Sequence, residues 1–238
     1  MKEGYINILG VKVNNISFKE GIEIVESWFA ENSGKKYIVT PNPEFITRAQ
    51  RDLEFKNILN KSDLAIPDGA GLLWASKVLG KPLKEKIPGV DFMMELCRVA
   101  SEKGWMVGLL GGRNGVGKLS EKELLTKYPK LNIKFIGEEW DNGLQIEKVK
   151  IDILFVAFGA PNQEKWIWEN LPKIPVKVAM GVGGAFDYIS GSVQRAPEFL
   201  RNLGLEWFFR LIKEPWRIKR QLIGGKFFLM VLKQRFND

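Results

Sequence analysis

The sequence predicts an α/β fold, in which an open, mainly parallel Rossmann-like sheet carries helices on both faces. Short runs rich in β-branched residues alternate along the chain with stretches of helical periodicity. One run, IDILFVAFG at 151–159, is continuously apolar after Asp152, as is typical of a central parallel strand that is covered on both faces. Glycine, asparagine and aspartate follow the predicted strands, where ligands collect in sheets of this kind.

The N-terminal half contains clear signals for where its elements begin. Ser17 and Glu20 have the spacing of a capping box at a helix start. Pro43 is suited to the first turn of a helix. The predicted elements are a strand or hairpin at 5–13, a helix at 17–31, a strand at 35–40, a helix from 43 to about 57, a short strand at 63–67, and helices at 70–80 and 89–104.

The C-terminal half continues the alternation and then changes character. Its predicted elements are a strand at 105–112, a helix at 115–129, strands at 131–138 and 151–159, a helix at 160–171 and a strand at 176–184. Beyond them we expect only helices, with Pro215 opening one helix and Gly224–Gly225 forming a hinge in the last. The predicted domains are an α/β catalytic core at 1–194 and a C-terminal helical appendage at 195–238.

Composition excludes several kinds of chemistry. The chain has no histidine, which removes histidine-based triads, metal sites and general bases. Its one cysteine, Cys97, lies in an apolar helical pattern, is expected to be buried, and cannot form an internal disulfide. No apolar run reaches about 18 residues and the first residues lack an apolar signal core, so we expect a cytoplasmic, soluble or peripheral protein.

The positive charge is concentrated at the C-terminal end. The net charge is +8, and residues 195–238 contain ten Lys or Arg but only four Asp or Glu. The same 44 residues contain eight aromatic side chains. A basic and aromatic segment predicts binding to an anionic membrane surface or to nucleic acid.

Two glycine-rich loops are candidates for nucleotide binding. GGRNGVGK approaches a P-loop, but Leu119 stands where a triphosphatase needs Ser or Thr to bind magnesium. Gly111, Gly112 and Arg113 can still contact a diphosphate or sugar at a helix start, although a ligand-free turn is the alternative. In GVGGAFD, the candidates are Gly183, Gly184 and Asp187, and Asp187 either binds a ribose or base or caps a helix.

Six segments together resemble the WecG/TagA/CpsF glycosyltransferase family, from about Tyr5 to Arg220. They are TPNPEF, IPDGAG, GGRNGVG, AFGAPNQEKW, GVGGAFDYISGSVQRAP and GLEWFFRLIKEPWRIKR, in this order along the chain. The resemblance implies an inverting transfer of N-acetylmannosamine from UDP-ManNAc to N-acetylglucosamine on undecaprenyl diphosphate, a step of wall teichoic acid synthesis. Other members imply a different donor, UDP-ManNAc uronic acid or UDP-glucose.

The resemblance also implies roles for residues at the predicted strand ends. Asp68 matches the catalytic base, although an aspartate before a helix is also a common cap. Thr40 and Gln163 match catalytic pocket positions and Asn42 an acceptor-binding position, where hydrogen bonds to the sugars are expected. Turn and cap chemistry is the alternative for all three.

Charge stabilisation of the leaving UDP is expected from side chains rather than from a metal. The sequence contains no D-x-D motif, so we expect no metal and no cofactor beyond the UDP-sugar co-substrate. Arg210, Arg217 and Arg220 match arginines of the family that would bind the diphosphate. Lys86 stands where the family often has arginine, which keeps the charge but loses the bidentate geometry.

The resemblance favours one set of partners over another. It implies a peripheral protein on the inner face of the plasma membrane, with an anionic lipid surface as partner and self-association as a homo-oligomer. Nucleic acid is not an expected partner on this interpretation. A basic nucleic-acid-binding module stays the alternative from charge alone, and it lacks a recognition motif.

Overall fold

The computed structural model describes residues 4–31, 33–138, 145–202, 204–213, 215 and 218–237. The strands are β1 (Tyr5–Ile8), β2 (Val11–Asn14), β3 (Lys36–Val39), β4 (Leu64–Ala65), β5 (Met106–Gly111), β6 (Asn132–Gly137), β7 (Ile151–Ala157) and β8 (Val176–Gly181). The helices are α1 (Phe18–Ala30), α2 (Pro43–Ala49), α3 (Leu53–Asn60), α4 (Ala70–Val78), α5 (Gly89–Lys103), α6 (Val116–Lys127), α7 (Asn162–Asn170), α8 (Ala185–Ile189), α9 (Glu198–Asn202), α10 (Glu206–Lys213) and α11 (Ile218–Asn237). A short 3-10 helix spans Gln145–Lys148.

The main sheet has six strands in the order β4-β3-β8-β7-β5-β6, and every pairing within it is parallel. Its strands bury side chains on both faces: Ile153 and Phe155 of β7 point to one core, and Leu154 and Val156 to the other. Helices α1, α5, α6 and α8 contribute buried residues to the first core, and α2, α3, α4, α7 and α11 to the second. The predicted fold class is therefore confirmed, with helices covering both faces.

Three local predictions are decided by helix caps and strand pairing. Ser17 and Glu20 form the predicted capping box at the start of α1. The segment 5–13 is a hairpin, because β1 and β2 pair antiparallel and form a sheet of their own. The single helix predicted from 43 to about 57 is wrong: the chain breaks after α2, and the Asp52 side chain accepts the Phe55 N–H to start α3.

The C-terminal helices lie against the α/β layers. α11 packs on α2 and α4, and its Phe227 and Val231 are fully buried in the core beneath them. Gly224 and Gly225 lie inside α11, which is continuous through both, so the structure shows no hinge at this position. A boundary at residue 194 stays a prediction. Among the described helices, none has the length and apolarity that a membrane crossing requires.

Candidate active site

Four neighbouring strands end at the same rim of the sheet, because they are parallel and adjacent in the order β4-β3-β8-β7. Thr40 follows β3, Asp68 follows β4, Gln163 follows β7 and Gly183 follows β8. The structure thus brings the predicted catalytic positions to one edge. Their arrangement depends on the crossovers of the sheet, since they lie far apart in sequence.

Asp68 is the central acidic residue of this rim. Its backbone N–H donates to the carbonyl oxygen of Pro41 at 2.9 Å, which joins the turns after β3 and β4. The cap residue of α4 is Gly69, and no side chain caps that helix. The capping alternative for Asp68 is therefore excluded in this structure. Its carboxyl group accepts the N–H of Gly89, at the start of α5.

The surroundings of the Asp68 carboxyl favour its protonated form. Burial among protein atoms raises its pKa to about 7, and the negative charges of Glu206 and Asp91 act in the same direction. The Gly89 N–H and the Arg195 guanidinium oppose this rise. A carboxyl group with a pKa near neutrality is poised to accept a proton from a substrate hydroxyl.

Thr40 and Asn42 lie beside Asp68 on the turn after β3. Thr40 is buried, and a methyl group built on Gly89 would lie 3.1 Å from its Cγ2 atom and 3.7 Å from Asp68 Oδ2. Gly89 therefore lets α5 approach both side chains closely. Asn42 is the cap of α2, where its Oδ1 atom accepts the Phe45 N–H at 3.0 Å. Cap chemistry, the alternative for Asn42, is thus present in this structure.

Gln163 has no exposed surface and connects two glycine loops. Its Oε1 atom accepts the N–H of Gly159 at 3.1 Å and the N–H of Gly183 at 2.9 Å. Its Nε2 atom donates to Glu164 Oε1 at 2.6 Å. These contacts differ from the predicted direct contact with a sugar. In this structure Gln163 is a positioning residue that fixes the loops after β7 and β8.

Glu164, the neighbour of Gln163, stands in the quoted AFGAPNQEKW segment but was not among the predicted site residues. It is fully buried, its Oε2 atom has no hydrogen-bond partner among the described residues, and burial raises its pKa to about 7. A side chain at Gly181 would lie 2.9 Å from Glu164 Oε1. The glycine at the end of β8 therefore makes room for this buried pair of side chains.

The two predicted nucleotide loops are adjacent in space. A methyl group on Gly112 would lie 3.4 Å from the ring of Phe186 on α8, and Ser120 of α6 donates to the Phe186 carbonyl oxygen at 3.0 Å. Gly111 and Gly112 adopt positive φ angles of 109° and 83°, which suit glycine. Arg113 is exposed beside them, and Asp187 lies in the first turn of α8, after Gly183 and Gly184.

Of the four basic residues predicted to bind the acceptor or its diphosphate, only Lys86 has a side chain that the structure describes. The Nζ atom of Lys86 donates to the backbone oxygen of Arg201 at 2.5 Å. This bond joins the segment before α5 to α9. Arg210 lies on α10 and Arg220 on α11, but their side chains are outside the part of the chain that the structure describes. Arg217 as a whole lies outside the described residues.

Three charged residues near Asp68 were missed in the sequence. They are Asp91, Arg195 and Glu206, and they belong to α5, the segment after α8, and α10. Arg195 stands in the family segment GVGGAFDYISGSVQRAP, and this was the signal in the sequence that could have identified it as a site residue. Nothing in the spacing linked it to Asp91, because 104 residues separate the two.

The parallel sheet, the glycine loops and the carboxyl at its rim define a protein of the α/β nucleotide-sugar transferase class. The model of the Glycosyl transferase WecG/TagA/CpsF family matches residues 6–238, and the chain belongs to this family. It is therefore a glycosyltransferase, and the resemblance inferred from the sequence is confirmed.

Curated relatives resemble the chain along most of its length. The N-acetylglucosaminyldiphosphoundecaprenol N-acetyl-beta-D-mannosaminyltransferase of Bacillus subtilis (strain 168) is 36% identical over 236 residues, which are 97% of this chain and 91% of the relative. The protein of the same name from Staphylococcus aureus (strain MRSA252) is 34% identical over 221 residues, or 90% of this chain and 87% of the relative.

Proposed function

We propose that this protein transfers N-acetylmannosamine from UDP-ManNAc to N-acetylglucosamine on undecaprenyl diphosphate, in the synthesis of wall teichoic acid. The relatives from Bacillus subtilis and Staphylococcus aureus bear the name of a transferase with this acceptor and this sugar. The observation that supports the proposal in the structure is the carboxyl group of Asp68 at the rim of the sheet, which does not cap α4 and accepts the N–H of Gly89 at the start of α5.

In the proposed reaction, Asp68 takes the proton of an acceptor hydroxyl as that oxygen attacks the anomeric carbon of the donor. The new carbon–oxygen bond forms on the face opposite UDP, while the bond to the diphosphate oxygen breaks and UDP leaves with its electron pair. The configuration at the anomeric carbon is therefore inverted. Thr40, beside Asp68 and Gly89, is proposed to orient a sugar hydroxyl.

The loops after β5 and β8 are proposed to hold the nucleotide, because their glycines, which have no side chain, let a ligand approach the backbone near two helix starts. Arg210, Arg217 and Arg220 are proposed to offset the charge that develops on the diphosphate, without a metal ion. Lys86 and Asn42 are proposed to bind the acceptor or its diphosphate. Gln163 supports the nucleotide loops through its bonds to Gly159 and Gly183.

An anionic membrane surface is the proposed second partner, at the inner face of the plasma membrane. Large apolar side chains of α10 and α11 are exposed: Trp207, Phe208, Ile212, Ile218, Phe228, Leu229, Leu232 and Phe236. Lys226, Lys233 and Arg235 are exposed on the same segment. Exposed aromatic and basic side chains together suit the interface of an anionic bilayer, where a lipid-linked acceptor resides.

The test is product analysis with an undecaprenyl-diphosphate N-acetylglucosamine acceptor. UDP-ManNAc, UDP-ManNAc uronic acid and UDP-glucose are offered separately, with and without a chelator. We expect disaccharide product from UDP-ManNAc alone, with inverted configuration and undiminished by the chelator. Product from another donor would show that the proposed donor sugar is wrong. Loss of activity with the chelator would contradict the proposed role of the arginines.

The base is tested with Asp68→Asn, which we expect to lower turnover at least about 100-fold while UDP binding is retained. Asp63→Asn is the matched control, because Asp63 precedes the same strand and bonds to Lys36 and the Tyr37 N–H instead. Near-normal turnover of Asp68→Asn would remove Asp68 from this role.

A further inference from the structure

An ion-pair network surrounds the first turn of α5, beside Asp68. Arg195 Nη1 and Nη2 donate to the two carboxylate oxygens of Asp91 at 2.5 and 2.8 Å. The Nε atom of Arg195 lies 3.8 Å from Oε1 of Glu206, and Arg201 Nη1 lies 3.9 Å from Asp91 Oδ2. One guanidinium group thus joins α5, the segment after α8, and α10. Its forked, bidentate contact is the geometry in which an arginine–carboxylate pair is strongest.

This network is connected to the Asp68 carboxyl through a single turn of helix. Gly89 donates its N–H to Asp68, and Asp91 lies two residues further along α5. Neither Gly89 nor its neighbour Pro88 offers a side-chain cap to the start of α5. The start of α5 is therefore held by partners from other segments: Asp68, which accepts the Gly89 N–H, and Arg195, which makes the bidentate contact with Asp91.

We propose that Arg195 is a positioning residue for the transfer reaction: it fixes the start of α5 through Asp91 and offsets the negative charge of Asp91 and Glu206 beside Asp68. The inference rests on the proposed role of Asp68 as the base. Arg195 itself contacts no substrate in this scheme. Its guanidinium is half-buried between two carboxylates, where a charge acts over several ångströms with less screening than at the surface.

The charged groups that face Asp68 fix the direction of the expected effect. Beyond the effect of burial, Glu206 and Asp91 raise the pKa of Asp68, and the Gly89 N–H and Arg195 lower it. Removal of Arg195 leaves two carboxylates beside the base without their shared cation, so the base takes up its proton at higher pH. Neutralising Glu206 has the opposite effect.

The experiment measures kcat/KM against pH for Arg195→Met, Arg195→Lys and Glu206→Gln. For Arg195→Met we expect the midpoint of the acid limb to rise, with a loss of kcat/KM that is larger at pH 6 than at pH 9. For Glu206→Gln the midpoint moves to lower pH. Arg195→Lys keeps a midpoint near that of the unchanged protein but has a lower kcat, because lysine retains the charge and loses the fork.

Arg98→Met is the matched control, because Arg98 lies on the same helix and pairs with Glu95 and Glu102, away from the rim. Its profile should coincide with that of the unchanged protein. A loss of the same factor at every pH in Arg195→Met would overturn the proposal and leave a purely structural ion pair. If Arg195→Met does not fold, as judged by circular dichroism, Glu206→Gln decides: an unmoved or raised midpoint overturns the proposal.

Failure of this inference is distinguishable from failure of the proposed base. Full turnover in Asp68→Asn would refute the base whatever the Arg195 profiles show. An inactive Asp68→Asn together with an unmoved Arg195→Met profile would keep the base and refute the network.

Discussion

At the scale of single residues, the active rim depends on two carboxyl groups held in different ways. Asp68 is at the rim, beside Thr40, and accepts one backbone N–H. Glu164 is fully buried behind the rim and accepts a hydrogen bond from Gln163. Burial raises the pKa of both groups, because a carboxylate loses water that the protein replaces only in part. The first is suited to proton transfer, and the second to orienting a neighbouring amide.

Glu164→Gln is expected to make the protein more stable at pH 8 than at pH 5, relative to the unchanged protein. The folded-state pKa of Glu164 is about 7, above its unfolded value of about 4.5, so the folded state holds the proton longer. Stability of the unchanged protein therefore falls as pH rises from about 4.5 to 7, and glutamine, which mimics the protonated form, avoids this loss. The gain at pH 8 should be on the order of 1–3 kcal/mol.

Urea denaturation at pH 5 and pH 8 measures this difference. Glu169→Gln, an exposed position on the same helix, serves as control and should change stability little at either pH. A Glu164→Gln protein that is less stable at pH 8 than at pH 5, by the same comparison, would show that Glu164 functions as a carboxylate in the folded state.

At the scale of elements, the break between α2 and α3 shows how a side chain ends a periodic pattern. The apolar positions of both helices continue across 43–60, and Phe45 and Phe55 pack with their rings 5.7 Å apart. Asp52 nevertheless starts a new helix by accepting the Phe55 N–H at 2.9 Å. The turn lets α3 lie against α7 while α2 lies under α11.

Asp52→Ala is expected to lower the free energy of unfolding by about 1 kcal/mol, because the N–H of Phe55 loses its acceptor. Asp52→Asn should keep most of the stability, since asparagine also caps a helix. The ion pair to Lys165 adds little, because Lys165 is also paired with Glu54. Thermal unfolding of both variants tests this, and equal losses in the two would assign the effect to the ion pair instead of the cap.

At the scale of the whole molecule, α11 has two faces with different tasks. Phe227 and Val231 are fully buried in the core that α2 and α4 also share. Leu229 and Phe236 are 71% and 85% exposed on the same helix. The buried face anchors the helix to the α/β layers, and the exposed face is free to meet a lipid surface, as proposed.

Leu229→Glu with Phe236→Glu is expected to weaken binding to anionic vesicles by about tenfold or more and to leave thermal stability nearly unchanged. Two large apolar side chains lose their favourable transfer, and two negative charges are added against an anionic surface. Vesicle sedimentation measures the change. Leu53→Glu is the control, because Leu53 is 76% exposed on α3, outside the basic tail. Unaltered vesicle binding of the double variant would show that another surface of the protein binds the membrane.

The sequence was most informative where a structural signal is local. The alternation of strands and helices, the capping box of Ser17 and Glu20, and the apolar run of β7 depend on neighbours within a few residues. The family motifs are local in the same sense, and they identified the glycosyltransferase family and the candidate base Asp68. By contrast, the hinge predicted at Gly224–Gly225 is not seen in this structure, where α11 runs through both glycines as one helix.

Tertiary structure alone decided which distant residues share a site. The order β4-β3-β8-β7 places the turn of Thr40 beside that of Asp68. It also brings the loops of Gly159 and Gly183 together, so that both bind to Gln163. The packing of the segment after α8 and of α10 on α5 places Arg195 against Asp91 and Glu206. Residue types and spacings determine what each segment can form by itself. Contacts between segments depend on sheet crossovers and core packing, which no stretch of the chain contains within itself.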